Sequence, residues 1–127
     1  MKDVLFIAAT LALFAVSAIA TADPVYLQCT SFNKHSNKTT TYTITLDENA
    51  QTATFSDDDF TNGKAYTVPA QFTQVDVRYS WKLLSPGFAF NYRIDRTNMD
   101  FSRRFMSDET KTDYGNCKIA EPVKRQF

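Results

Sequence analysis

His35 is the only histidine in the chain, and with many serines and threonines present the chemistry it would serve is a Ser–His–Asp arrangement. It lies in a soft polar connection, residues 33–38 (NKHSNK), whereas a catalytic base needs fixed geometry. No strained Gly-x-Ser-x-Gly turn accompanies it. His35 is therefore read as a solvated loop residue. The acidic run Asp57-Asp58-Asp59 invites a test as a hard-cation loop. Counting from Asp57, the sixth position is Asn62 and the twelfth Val68, where a helix–loop–helix calcium site needs glycine and a closing glutamate. The match fails, and the run is read as a solvated acidic turn. One histidine and no closely spaced thiolates exclude a zinc site. No metal, cofactor or catalytic residue is assigned, and the chain is read as non-enzymatic. Asn37-Lys38-Thr39 is a glycosylation sequon, meaningful only in a eukaryotic secretory route.

Arginine is the remaining chemistry. Arg93, Arg96, Arg103 and Arg104 interleave with Phe90, Tyr92, Phe101 and Phe105, and Arg78 lies on a preceding alternating segment. Such residues line anion or single-strand grooves. Against that, strand alternation sends aromatics inward and arginines outward. Arg103 breaks the pattern, because it shares its parity with Met99, Phe101 and Phe105. Unless a bulge resets the parity, Arg103 points inward and needs a buried carboxylate or a bound anion. Arg78, Arg93, Arg96, Arg103 and Arg104 are thus the candidate partner contacts. Tyr79, Trp81, Phe90 and Tyr92 are candidates for a ligand cavity or a core.

The elements that position these residues are strands. After residue 23 the hydrophobic period is two. Tyr42, Ile44 and Leu46 alternate with threonines; Val75, Val77, Tyr79, Trp81 and Leu83 alternate with Asp76, Arg78, Ser80 and Lys82; Phe88, Phe90, Tyr92 and Ile94 alternate with polar residues and Ala89. Weaker strands fit residues 25–32, 51–56, 64–72, 99–106 and 110–119, with Pro69 marking an edge, bend or bulge. Turns fall at Asp47-Glu48-Asn49 (a tight hairpin), Asp57 to Gly63, Ser85-Pro86-Gly87 and Asp95 to Asn98. The expectation is an all-β fold: one antiparallel up-and-down barrel of about eight strands, or a strongly twisted sandwich.

Residues 1–22 read as a secretory signal peptide. Lys2 precedes an apolar run from Val4 to Ala20 that ends in overlapping small-x-small sites, and cleavage is placed between Ala22 and Asp23. The domain is then 23–127, ending in a short basic tail. Removing Lys2 and Asp3 leaves it neutral, which argues against nucleic-acid binding and against adsorption to anionic lipid. No membrane span remains after cleavage. Two cysteines in an exported chain pair. Cys29 and Cys117 lie near the ends of the domain, so their link would meet across the seam of a closed meander, and by loop entropy it is worth up to ~4–5 kcal/mol.

Several short motifs are familiar together. They are Tyr42-Thr43-Ile44-Thr45-Leu46-Asp47-Glu48 after the Cys29 strand, Ala70-Gln71-Phe72-Thr73, Tyr92-Arg93-Ile94-Asp95-Arg96-Thr97, and Gly115-Asn116-Cys117 before the tail Lys124-Arg125-Gln126-Phe127. The chain resembles small exported bacterial β-barrel proteins over nearly all of its mature length. That resemblance implies compartment and fold and names no activity. A more distant likeness is to periplasmic inhibitors of C-type lysozyme, whose Ser-x-x-Gly-x-Arg-Tyr loop is matched only by Arg78-Tyr79. A lipocalin's early Gly-x-Trp is missing.

The sequence thus points to a monomeric periplasmic or secreted barrel that binds a protein or cell-envelope component. Two alternatives stay open: a carrier with a small apolar ligand inside the barrel, and a lysozyme-inhibitor-like protein.

Overall fold

The structure is a computed structural model that describes residues 22–83, 87–108 and 110–121. The expected signal segment up to residue 21, most of the Ser85-Pro86-Gly87 turn and the basic tail lie outside the described residues. Eight strands follow one another: β1 (Val25–Asn33), β2 (Lys38–Asp47), β3 (Thr52–Asp57), β4 (Tyr66–Phe72), β5 (Asp76–Leu83), β6 (Phe88–Asp95), β7 (Asp100–Phe105) and β8 (Thr112–Ile119). Each pairs antiparallel with the next, and β8 returns to β1, giving a closed barrel. Of the two architectures the period-two pattern allowed, the meander barrel is the one formed.

Alternation decides what faces inward. β2 buries Thr40, Tyr42, Ile44 and Leu46, β5 buries Val77, Tyr79 and Trp81, and β6 buries Phe90, Tyr92 and Ile94. The outward positions of the same strands are mainly threonine, serine, asparagine, lysine and arginine. Phe55 is the hub of the aromatic core. Its ring centroid lies 5.4 Å from Tyr79, 5.5 Å from Trp81 and 5.2 Å from Tyr92. Aromatic pairs at these separations add to the burial of their area. Tyr79 and Tyr92 stack at 4.6 Å, and Trp81 stacks on Phe90 at 6.1 Å. The four aromatics that alternation left between cavity and core therefore pack on one another.

The seam explains the late Gly-x-Cys. Cys29 and Cys117 are direct cross-strand partners, joined by a disulfide with their Cα atoms 4.0 Å apart. Two residues earlier, a Cβ on Gly115 would stand 1.6 Å from the Thr30 carbonyl oxygen. Only glycine lets β8 approach the backbone of β1 this closely.

Pro69 marks a change of partner along β4. β4 pairs with β3 from Tyr66 to Pro69 and with β5 from Ala70 to Phe72. The residue without an N–H donor thus falls at the handover.

Two connections are more ordered than their composition suggests. The polar 33–38 segment holds a four-residue turn, 34–37, between β1 and β2. In it the Asn33 side-chain oxygen accepts hydrogen bonds from the His35 and Ser36 amides, at 2.9 and 3.0 Å. The tight Asp47-Glu48-Asn49 hairpin is instead a four-residue loop, in which Asp47 Oδ1 accepts from the Ala50 amide and Gln51 adopts φ 53°.

Candidate functional site

Antiparallel register turns isolated arginines into a surface. Across the outer face of β4 to β8, one row of partners reads Gln71, Arg78, Arg93, Ser102 and Tyr114. A second reads Ser80, Asn91, Arg104 and Thr112. Together they line a groove of about 950 Å³, to which Gln51 and Pro69 also contribute. Among the described residues, three arginines line it and no aspartate or glutamate does.

Arg78 and Arg93 stand directly opposite each other, a like-charge cross-strand pair that would repel if left alone. Asp76 holds them together. Its Oδ2 accepts from Arg78 Nε at 2.9 Å and from Arg93 Nε at 2.8 Å, while Oδ1 accepts from the Thr73 hydroxyl at 2.8 Å. Asp76 sits on the outward parity yet is only 2% exposed, because the residues it binds cover it. Burial alone would push its carboxyl up. The hydrogen bonds from Thr73, Arg78 and Arg93 outweigh that and bring it down to about 2. The carboxylate therefore stays charged and fixes both guanidinium groups through Nε. Asp95 Oδ2 also lies 3.7 Å from Arg93 Nη2, and Arg78 is still well exposed.

The other candidate arginines divide. Arg104 lies in the groove. Arg96 lies at the opposite end of β6, where it donates to the Thr73 carbonyl at 2.6 Å and pairs with Glu48 at 3.1 Å, fastening three loops. Arg103 points inward, as its parity required, with no bulge in β7. Its Nη2 lies 2.6 Å from Asp113 Oδ2 and 3.1 Å from Asp59 Oδ2. The guanidinium carbon stands 5.1–5.3 Å from the rings of Phe60, Tyr42 and Phe90, within cation–π range. Burial opposes this charge, but Tyr42 and the Asp113 carboxylate outweigh it and raise the pKa, so Arg103 remains a cation.

The reading of Asp57-Asp58-Asp59 as a solvated acidic turn is corrected here. Asp57 is buried, and its Oδ1 accepts from the Asp59 and Thr61 amides. Asp58 accepts from the Thr41 amide, and Asp59 bridges Lys38 and Arg103. The reason is register. β3 runs one residue past Ser56, so Asp57 shares the inward face of Ala53 and Phe55.

No family model, curated protein or solved structure matches the chain. The geometry therefore stands without a relative's precedent. Arg78-Tyr79, the dipeptide shared with the lysozyme inhibitors, lies in the middle of β5 with Arg78 outside and Tyr79 inside, and not in a loop. His35 is exposed in the β1–β2 turn. A buried disulfide such as Cys29–Cys117 is typical of proteins outside the reducing cytoplasm.

Sequence reasoning missed Asp76, Asp113, Tyr114 and Phe60. Asp76 read as one more outward polar residue, and nothing local shows that Arg93, 17 positions on, returns to cover it. Asp113 carried a usable signal, since the inward requirement of Arg103 called for an acid on a neighbouring strand.

Proposed function

We propose that the chain is an exported, non-enzymatic barrel that binds an acidic partner, a protein or a cell-envelope component, through the groove across β4 to β8. The observation that carries this reading is that the described lining of that groove brings arginines together, Arg78 exposed among them, with no aspartate or glutamate, on a chain whose formal charge is zero. A neutral protein that concentrates one sign on one face creates a local field for the opposite sign. The serine, asparagine, threonine and glutamine side chains between the arginines supply hydrogen bonds that fix register, and Tyr114, 68% exposed, offers an aromatic face of the kind enriched at contact surfaces. Periplasmic or secreted placement fits the disulfide and the signal-like residues 1–22.

The test is saturable binding of the exported protein to envelope extract, compared with an Arg78→Glu/Arg93→Glu variant. Binding that weakens with rising salt and is lost in the variant supports the reading. Absence of saturable binding, or binding indifferent to both charge reversals, removes it.

A further inference from the structure

Four polar atoms in the barrel interior make no hydrogen bond among the described residues: Asp57 Oδ2, Arg103 Nη1, Tyr79 Oη and Tyr92 Oη. The side chains of Asp57 and Arg103 are 0% and 3% exposed, and both tyrosines are buried. Buried polar groups are nearly always satisfied, so four orphans in one region call for a common partner. They do share a region. Asp57 Oδ2 and Arg103 Nη1 face each other at 3.9 Å. Tyr92 is the cross-strand partner of Arg103, and the Tyr79 ring stacks on Tyr92. Phe55, two residues before Asp57 on the same inward row, touches both tyrosine rings.

The chemistry of the four atoms selects the occupant. Arg103 Nη1 can only donate, a carboxylate oxygen such as Asp57 Oδ2 accepts, and the two hydroxyls can do either. A metal cation is disfavoured by the guanidinium, an anion by the carboxylate, and an apolar molecule by all four. A gap of 3.9 Å is too long for a direct hydrogen bond and suits one bridging molecule at about 2.8 Å from each side. We infer that the head of the barrel holds at least one permanent water molecule that bridges Arg103 Nη1 to Asp57 Oδ2 and completes its shell with the tyrosine hydroxyls. The tyrosines suit that role because burial pushes both hydroxyl pKa values far up, keeping them neutral donors.

Phe60, in the segment 58–65, covers the Arg103 guanidinium, whose carbon lies 5.1 Å from its ring centroid. Phe60 lies 4.7 Å from Phe90, 5.7 Å from Phe88 and 6.0 Å from Phe105, and the neighbouring Asp59 is tied to both Arg103 and Lys38. The water leaves only when this cover lifts, so its residence time measures the opening of the barrel mouth. Tyr79 and Tyr92 are also in the lining of the outer groove, but the inference does not depend on the binding role proposed for that groove.

Two measurements on the intact exported protein decide the matter. A crystal structure at about 1.5 Å should show a density peak within hydrogen-bond distance of both Asp57 Oδ2 and Arg103 Nη1. Water relaxation dispersion should show at least one molecule that stays longer than the protein's tumbling time, with residence shortened at least tenfold in Phe60→Ala. A direct Arg103–Asp57 pair with no density between them overturns the inference, as does a refined ion or organic molecule in that place. Should Phe60→Ala not fold, Tyr92→Phe replaces it, and the expected result is retention of the bridge with one contact fewer. Loss of long-lived water in the wild type overturns the proposal whatever the variants do.

Discussion

Arg103 and the Arg78–Arg93 pair are carried by neighbouring strands, yet the barrel treats them in opposite ways. Inside, one guanidinium meets Asp113 and Asp59 directly and Asp57 at 3.9 Å, so acid outnumbers base. Outside, two guanidiniums share the carboxylate of Asp76, and Arg93 also reaches Asp95 at 3.7 Å, so acid and base are matched and both arginines stay open to water. A buried charge without partners costs several kcal/mol, and the fold surrounds Arg103 accordingly. An exposed charge is relieved by water, and its outward N–H donors remain available to a ligand. The outer face of β2 and β3 supplies a third term, since it is built from threonines. Thr54 and Thr67 bond each other at 2.8 Å, and that face carries no comparable pair of arginines.

The contrast breaks most violently from the inside. Arg103→Met should lower the unfolding free energy by about 3–5 kcal/mol, because it strands carboxylates that are already desolvated; urea titration reads this directly. A loss near 1 kcal/mol would show that Arg103 is no more structural than the outer pair. Next, Asp76→Asn should cost about 1–2 kcal/mol through its charged hydrogen bonds. The same residue sets a pH dependence. Its folded pKa is depressed to about 2, so the stability it supplies is complete above an unfolded carboxylate's ~4. That contribution is lost as pH falls toward 2. The difference between wild type and Asp76→Asn should therefore shrink between pH 4 and 2 and stay level above pH 5, as measured by denaturant midpoints.

Replacing both Arg78 and Arg93 by glutamine should change stability by no more than about 1 kcal/mol, since water reaches Asp76 once they are gone, while partner binding falls away. Stability lost without a change in binding would reverse the assignment of the groove. The smallest effect is expected on the threonine face. Thr43→Val with Thr45→Val should stay within about 0.5 kcal/mol and leave binding unchanged, which makes it the control for the arginine variants.

The strands were legible because each buries one face, and a period of two survives in residue types as different as Tyr42-Ile44-Leu46 and Phe88-Phe90-Tyr92-Ile94. The same rule located Arg103 inside. It failed at Asp57 only because the strand was ended at Ser56, where an acidic run imitates a turn. The groove was harder to see. Arg78 and Arg93 become opposite partners only through the register of the β5–β6 hairpin, and the cover over Asp76 comes from side chains rather than from parity. Pro69 announced an irregularity without saying that β4 divides its pairing between two neighbours. Local alternation thus reports which way a residue faces, and says little about which distant residue stands beside it.

The junction of β1 with β8 has a consequence for the order of events in time. A chain is synthesised from its N-terminus, so β1 exists long before its second neighbour does. Seven of the eight strand pairings join consecutive strands, and the eighth spans the 88 positions between Cys29 and Cys117. Until Ile119 has emerged, the growing meander has an open edge, and edges of that kind recruit other chains. Completion of the cylinder is thus a late, all-at-once step that favours the finished chain over its fragments. The covalent link then keeps that edge from reopening.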